Sequence, residues 1–152
     1  MLITKNKAFI FVGYTLLETL FVLTIILGMF MFPIFSISSW QQRMVIDQFF
    51  NQLDQRIYAT QKIAIVSQQL TSIFYDQKCN QIVFDVPKTN INWSILKIPF
   101  EIEVKKMEPI SFSAKTGNES TLKAYQFYWK MKKQTIIYQF QMGSGHYIKK
   151  IK

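Results

Sequence analysis

Few side chains of this 152-residue sequence are of kinds that do chemistry, and most of those stand apart. There is one histidine, His146, and one cysteine, Cys79. A zinc site takes about four nitrogen, sulfur or oxygen ligands, so no metal site is expected from this chain alone. A lone cysteine closes no internal disulfide; Cys79 reads as a small apolar strand residue or as one half of an intermolecular bridge. The acids are scattered and mostly neighbour lysines in sequence. No motif sets a serine or cysteine beside His146. There is no Gly-rich phosphate loop, and neither an enzyme nor a cofactor is expected. The exception is Glu18, the one charge between Gly13 and Phe35 in an otherwise apolar run.

An apolar run of about 20 residues spans a bilayer as a helix. A carboxylate within it costs a few kcal/mol, which makes it a candidate for function with a partner to be found. A cut between Gly13 and Tyr14 would supply that partner. Tyr14 would carry a new ammonium group, with Glu18 one helical turn further on, and the two would be neighbours on one helix face. In a stack of such helices the carboxylate of one could meet the amine of the next, offsetting much of the cost of burying both charges. A cut after Ala8 would put Gly13, not an acid, at the fifth place.

Gly13, Tyr14, Thr15, Leu16, Leu17 and Glu18, with the apolar run behind them, resemble the class III signal of type IV prepilins and pseudopilins. The resemblance implies cleavage after Gly13 by prepilin peptidase, N-methylation of Tyr14, and a role for Thr15 and Glu18 in assembly. A second resemblance lies further on. Thr60-Gln61-Lys62, Ser67-Gln68-Gln69 and Thr71-Ser72, with Tyr138-Gln139-Phe140, Gly143-Ser144-Gly145 and the tail Ile148 to Lys152, are similar to ComGD-type minor pseudopilins of Gram-positive competence systems. It implies a part in a competence pilus and in uptake of transforming DNA, with other major and minor pseudopilins and the membrane as partners. The alternatives are an ordinary secretory signal, for which Ser36-Ile37-Ser38 offers small residues, or a single-pass anchored module that binds DNA or an anionic cell-wall polymer without entering a filament.

The net charge is +9, and no acid follows Glu119. Lysines and aromatic residues interleave from Lys123 to Lys133 and from His146 to Lys152. Such mixtures suit single-stranded nucleic acid, where cations track phosphates and rings stack on bases. Lys130, Lys132, Lys133, Lys149, Lys150 and Lys152 are therefore candidate contacts for a polyanion, DNA among them. A solvated basic face beside core aromatics explains the same pattern.

The elements follow from periodicity. The resemblance makes residues 1–13 a leader. Lys5 and Lys7 hold that side of the span in the cytoplasm, placing the rest of the chain outside the cell; the resemblance implies that it then enters a surface filament. Residues 14–35 form the membrane half of a long helix, where Pro33 either kinks the span or marks its outer edge. Residues 36–72 continue as an amphipathic half. Its apolar stripe is Ile46, Phe49, Phe50, Leu53, Ile57 and Ala64, and Gln41, Gln52, Gln55 and Gln61 lie on the polar face. Residues 73–152 form an antiparallel sheet. Strands are expected at Ile82–Val86, more weakly at Ile91–Ile98, and at Phe100–Lys105. A meander of three follows: Leu122–Met131, Thr135–Met142 and His146–Ile151, with its lysines on the wet face. Ser113–Ser120 reads as a polar loop. The expected fold is α+β, a type IV pilin-like lollipop with the long N-terminal helix packed on a C-terminal antiparallel β-sheet.

Overall fold

The computed structural model describes residues 10–88 and 91–152, with side chains described at 15–30, 40–88 and 91–152. The chain divides into two compact units, Met1–Arg43 and Met44–Lys152. One helix, α1 (Ile10–Val66), runs through the boundary. Eight strands follow: β1 (Thr71–Asp76), β2 (Gln81–Asp85), β3 (Ile95–Lys97), β4 (Ile102–Met107), β5 (Ile110–Phe112), β6 (Ala124–Trp129), β7 (Gln134–Phe140) and β8 (Tyr147–Ile151).

The lollipop with one sheet is corrected on two points. The strands form two four-stranded antiparallel sheets, ordered β3-β2-β1-β5 and β4-β6-β7-β8. Nor does the N-terminal part of α1 pack on a sheet: its described side chains, at residues 15–30, are exposed except at the half-covered Gly28. Among the described residues no helix is long and apolar enough to cross a membrane. The apolar run also includes Gly13, Tyr14 and residues 31–35, whose side chains lie outside the described set, as do residues 1–9 entirely. No long N-terminal helix is packed on a sheet; only the second unit's part of α1 is.

Two prolines stand where the chain leaves one sheet for the other. β3 belongs to the first sheet, and Pro99 follows it closely; the chain then enters the second sheet as β4. Pro109 ends β4's neighbourhood, and the chain returns as β5 to pair with β1, Ile73 opposite Ile110. Proline removes a ladder donor and restricts the residue before it, so the chain turns instead of continuing its strand. The polar loop then carries it back to the second sheet, where β6, β7 and β8 form the expected meander.

Within the second unit α1 meets both sheets. The whole predicted stripe is buried: Ile46, Phe49, Phe50, Leu53, Ile57 and Ala64 share one core with residues of each sheet. Phe50 lies 5.9 Å from the Phe127 ring, edge-on, and 6.2 Å from Tyr138, stacked. Arg56 ties the helix to the first sheet, its Nη1 donating to the carbonyl of Trp93 at 2.9 Å. Asp54 ties it to the second, accepting from the Tyr147 hydroxyl at 2.8 Å and the Lys149 ammonium at 3.4 Å. The helix closes after Val66, with Gln68 in the left-handed conformation.

Several local expectations need correction. Gln61 is buried, not on the polar face. Phe100 lies in the turn before β4 and is 84% exposed. A bulge between Val104 and Lys106 interrupts the alternation of β4. The loop after β5 is polar in composition but not in placement, because Glu119 is 3% exposed. That carboxylate accepts from the Ser111 amide at 2.9 Å and the Thr121 hydroxyl at 2.6 Å, and pairs with Lys123 at 3.3 Å. Lys123, just before β6, is thus joined to the last acid of the sequence.

Candidate functional site

The first candidate lies in the N-terminal unit. Thr15 and Glu18 are both exposed there. Gly13 and Tyr14, the predicted cleavage and methylation positions, have side chains outside the described residues. Glu18 lies between two shallow apolar grooves on the helix surface. One is lined by Leu17, Phe21, Val22 and Ile25, the other by Thr15, Thr19, Val22, Leu23 and Ile26. The hydroxyls of Thr19 and Thr24 turn back onto the helix, donating to the carbonyls of Leu16 at 2.9 Å and Phe21 at 2.8 Å. Their polarity is absorbed locally, and the surface around Glu18 is correspondingly apolar. Among the described residues no cation pairs with the Glu18 carboxylate.

The second candidate is the basic end of the meander. The turn between β6 and β7 carries Lys130, Lys132 and Lys133, all exposed. Lys152 joins them because its amide and carbonyl exchange hydrogen bonds with Thr135, at 2.9 and 2.7 Å. Lys132 sits over the Trp129 ring at 4.2 Å, and Lys130 over Phe100 at 4.4 Å. The ammonium of Lys130 also donates to the Phe100 carbonyl at 3.1 Å. Such stacking holds each cation beside a ring while leaving its head in water.

The remaining two lysines diverge. β8 pairs with β7 so that Tyr138 faces Lys149 and Ile137 faces Lys150. Neighbouring strand residues point to opposite faces. Lys149 therefore turns toward the helix, over the rings of Phe50 and Tyr138 at 5.0 and 5.1 Å, and reaches Asp54. Lys150 is on the other face, donating to the Gln139 side chain at 3.2 Å. The expectation of one wet face carrying all the lysines is corrected by this register.

A groove of about 390 Å³ joins helix and sheet here, lined by Asp47, Phe50, Asn51, Trp129, Lys132 and Lys149 among others. The aromatic residues interleaved with the lysines of β6 are turned inward. Tyr125 and Phe127 are fully buried and Trp129 is 5% exposed. Burial lifts the phenol pKa of Tyr125 well above its ordinary value, with the Glu119 charge adding to the effect. Tyr147 is raised by burial first and then by its bond to Asp54.

The other reactive side chains stay isolated. Cys79 is exposed in the turn between β1 and β2. A hydrogen bond to Asp76, and then that residue's charge, raise its thiol pKa, opposite to what an activated nucleophile needs. His146 is exposed beside β8. Among the described residues no group of three or more His, Cys, Asp or Glu could hold a metal ion. Sequence reasoning missed Phe100 as a companion of the basic turn; a large apolar residue directly after Pro99, where a strand cannot continue, was the available signal. No family model, curated protein or solved structure matches the chain.

Proposed function

We propose that this chain is a minor pseudopilin of a competence, type IV-like pilus, needed for assembly or initiation of the filament and for uptake of transforming DNA. The observation that carries the proposal is Glu18: a carboxylate exposed on a helix whose surrounding side chains are apolar and exposed as well. Leu16, Leu17, Leu20, Phe21 and Leu23 present a continuous apolar surface of the kind that marks an interaction or membrane site. An acid on such a surface is stabilised when a neighbour brings a cation. Cleavage after Gly13 makes one at Tyr14, four residues before Glu18 on the same helix.

In this reading prepilin peptidase cuts between Gly13 and Tyr14, and the Tyr14 amine is methylated. The N-terminal helix stays in the membrane until it is drawn into a bundle with the helices of other pseudopilins. Glu18 sets the axial register by meeting a neighbour's Tyr14 amine, with Thr15 beside it. The sheets of the second unit form the part outside the cell. The chain is a substrate of processing enzymes and not itself a catalyst.

Mass analysis of the exported protein tests this directly. The expected mature chain starts at methylated Tyr14. An intact Met1, or a start near Ser39, overturns the proposal.

A further inference from the structure

Lys130, Lys132, Lys133 and Lys152 come from two separate parts of the sequence and meet at one end of the second unit. The helix shows which end this is. Gln61 bonds to the Ser144 carbonyl at 3.2 Å, Asp54 to Tyr147 at 2.8 Å, and Asp47 shares a groove with Ile151. As the helix numbering falls, that of β8 rises, so the lysines gather at the end where the chain enters the unit at Met44. The acids at this end are Asp47, Glu101 and Glu103, and Glu103 is paired with Lys105 at 2.7 Å.

Apolar side chains stand among these cations. Phe100 is 84% exposed, Ile151 63% and Met131 47%. The Lys130 amide donates to the Glu101 carbonyl at 3.0 Å, which places the Phe100 turn beside the basic turn. A surface that mixes lysines with exposed Phe, Ile and Met is the composition of a membrane-interface segment, where charge meets anionic headgroups and apolar tips enter the boundary layer. A nucleic-acid surface would present a series of rings for stacking, but of the aromatic residues here Tyr125, Phe127 and Trp129 are buried in the core, which leaves Phe100 as an exposed ring among aliphatic tips.

We propose that this end of the second unit is a docking surface for an anionic lipid bilayer. The inference rests on the reading of the apolar run as a membrane segment. That run precedes the second unit in the chain, so the unit is tied to the same bilayer whose anionic headgroups its lysines attract. Docking would hold the unit against its membrane before assembly, and extraction into a filament would have to break that contact.

The test uses the full chain in vesicles of phosphatidylcholine alone or mixed with phosphatidylglycerol. With Cys79→Ser, a spin label is attached through Met131→Cys in the basic turn or, as a control, through Thr116→Cys in the loop at the other end of the helix contact. Both positions are exposed, and a melting curve checks that each variant is folded. In the mixed vesicles the label at 131 is shielded from a water-soluble relaxation agent, while the label at 116 is not. Raised salt releases the shielding. Replacing Lys130, Lys132, Lys133 and Lys152 together by Gln lowers the ratio of shielded to exposed label by at least about tenfold, because each surface lysine contributes a severalfold factor. Equal accessibility at 131 in both vesicle types overturns the proposal, as does shielding by an added oligonucleotide but not by phosphatidylglycerol. Alkaline extraction separates the two failures. A chain that stays in the vesicles without lipid-dependent shielding defeats only the docking proposal; one that washes off defeats the membrane reading as well.

Discussion

The side-chain amide of Gln61 donates to the main-chain carbonyl of Gly117 at 3.0 Å, from within the buried face of the helix. The same nitrogen donates to the Ser144 carbonyl at 3.2 Å. One amide therefore satisfies the loop after β5 and the turn before β8 together. Gln61→Leu would keep the volume and leave two carbonyls without their donor. The expected loss is about 2–3 kcal/mol, since an unpaired buried acceptor costs about 1–3 kcal/mol. Urea or thermal denaturation of the full chain checks it. Gln61→Glu should be worse and dependent on pH. Burial and two facing carbonyls disfavour the introduced carboxylate, raising its folded pKa above the unfolded value of about 4.3. The difference from the parent chain is then smallest below about pH 4.3 and widens as pH rises through the raised folded pKa.

Gly145 is the other half of this arrangement. Its φ is +65°, and a Cβ built there would run into the Gly117 carbonyl and the Gln61 amide. A non-glycine residue in the left-handed region costs about 1–2 kcal/mol before any clash is counted. Gly145→Ala should therefore destabilise by about 2 kcal/mol or more, measured by the same denaturation. Gly143 in the same turn has φ +77° but open space around its Cβ position. Gly143→Ala should cost only the conformational part. Equal losses for the two would remove the packing argument.

These contacts mark where the sequence was legible and where it was not. Ile46, Phe49, Phe50, Leu53, Ile57 and Ala64 repeat at helical spacing, and all six are buried as that spacing demands. Gln61 was read as surface from its polar type, although it stands four residues after Ile57 and three before Ala64 and so lies on the stripe; its partners Gly117 and Ser144 are 56 and 83 residues away, beyond any local pattern. Pro99 was read as a strand end. Neither it nor Pro109 tells which sheet the chain joins next, because that choice rests on long-range pairing such as Ile73 with Ile110. The strand Ile110–Phe112 went unread because three residues carry too little alternation to stand out. At the candidate sites, the isolation of Glu18 among apolar side chains is a matter of sequence alone. The meeting of Lys152 with Lys130, Lys132 and Lys133 was not, since it follows from the register of β7 and β8.

Three tyrosines should set the alkaline limit of the fold. Tyr125, Tyr138 and Tyr147 all have phenol pKa values raised, chiefly by burial; the nearby charge of Glu119 adds to it for Tyr125, and Asp54 for the other two. Unfolded tyrosine titrates near 10. With the folded pKa above the unfolded one, the stabilising contribution is complete below about pH 10 and is lost as pH rises further. Tyrosinate absorbance should therefore show these phenols ionising together with unfolding and not before it. The hydroxyl of Tyr125 is buried without a hydrogen-bond partner among the described residues. Tyr125→Phe should thus be neutral or stabilising by up to about 1 kcal/mol, whereas Tyr147→Phe, which loses the 2.8 Å bond to Asp54, should cost about 1 kcal/mol at neutral pH. Both should move the alkaline midpoint upward.

Glu18 gives the sharpest separation of insertion from assembly. Glu18→Val removes a carboxylate from an apolar stretch, so membrane partition should improve or stay unchanged on the scale of a few kcal/mol that a membrane acid costs. On the proposed pairing assembly should fall, because a neighbouring subunit's Tyr14 amine would then lack its counter-charge. A charge left buried without its partner costs about 3–5 kcal/mol, roughly a hundredfold or more in association. Glu18→Gln keeps the shape and a hydrogen-bond acceptor but not the charge, and should fall between the two. Glu18→Asp keeps the charge on a shorter arm and should retain part of the function. The measurements are membrane fractionation for insertion, and sheared-filament yield with transformation frequency for assembly. Normal filaments from Glu18→Val would show that the carboxylate does not set the register. Loss of that variant from the membrane fraction would place its role in insertion instead.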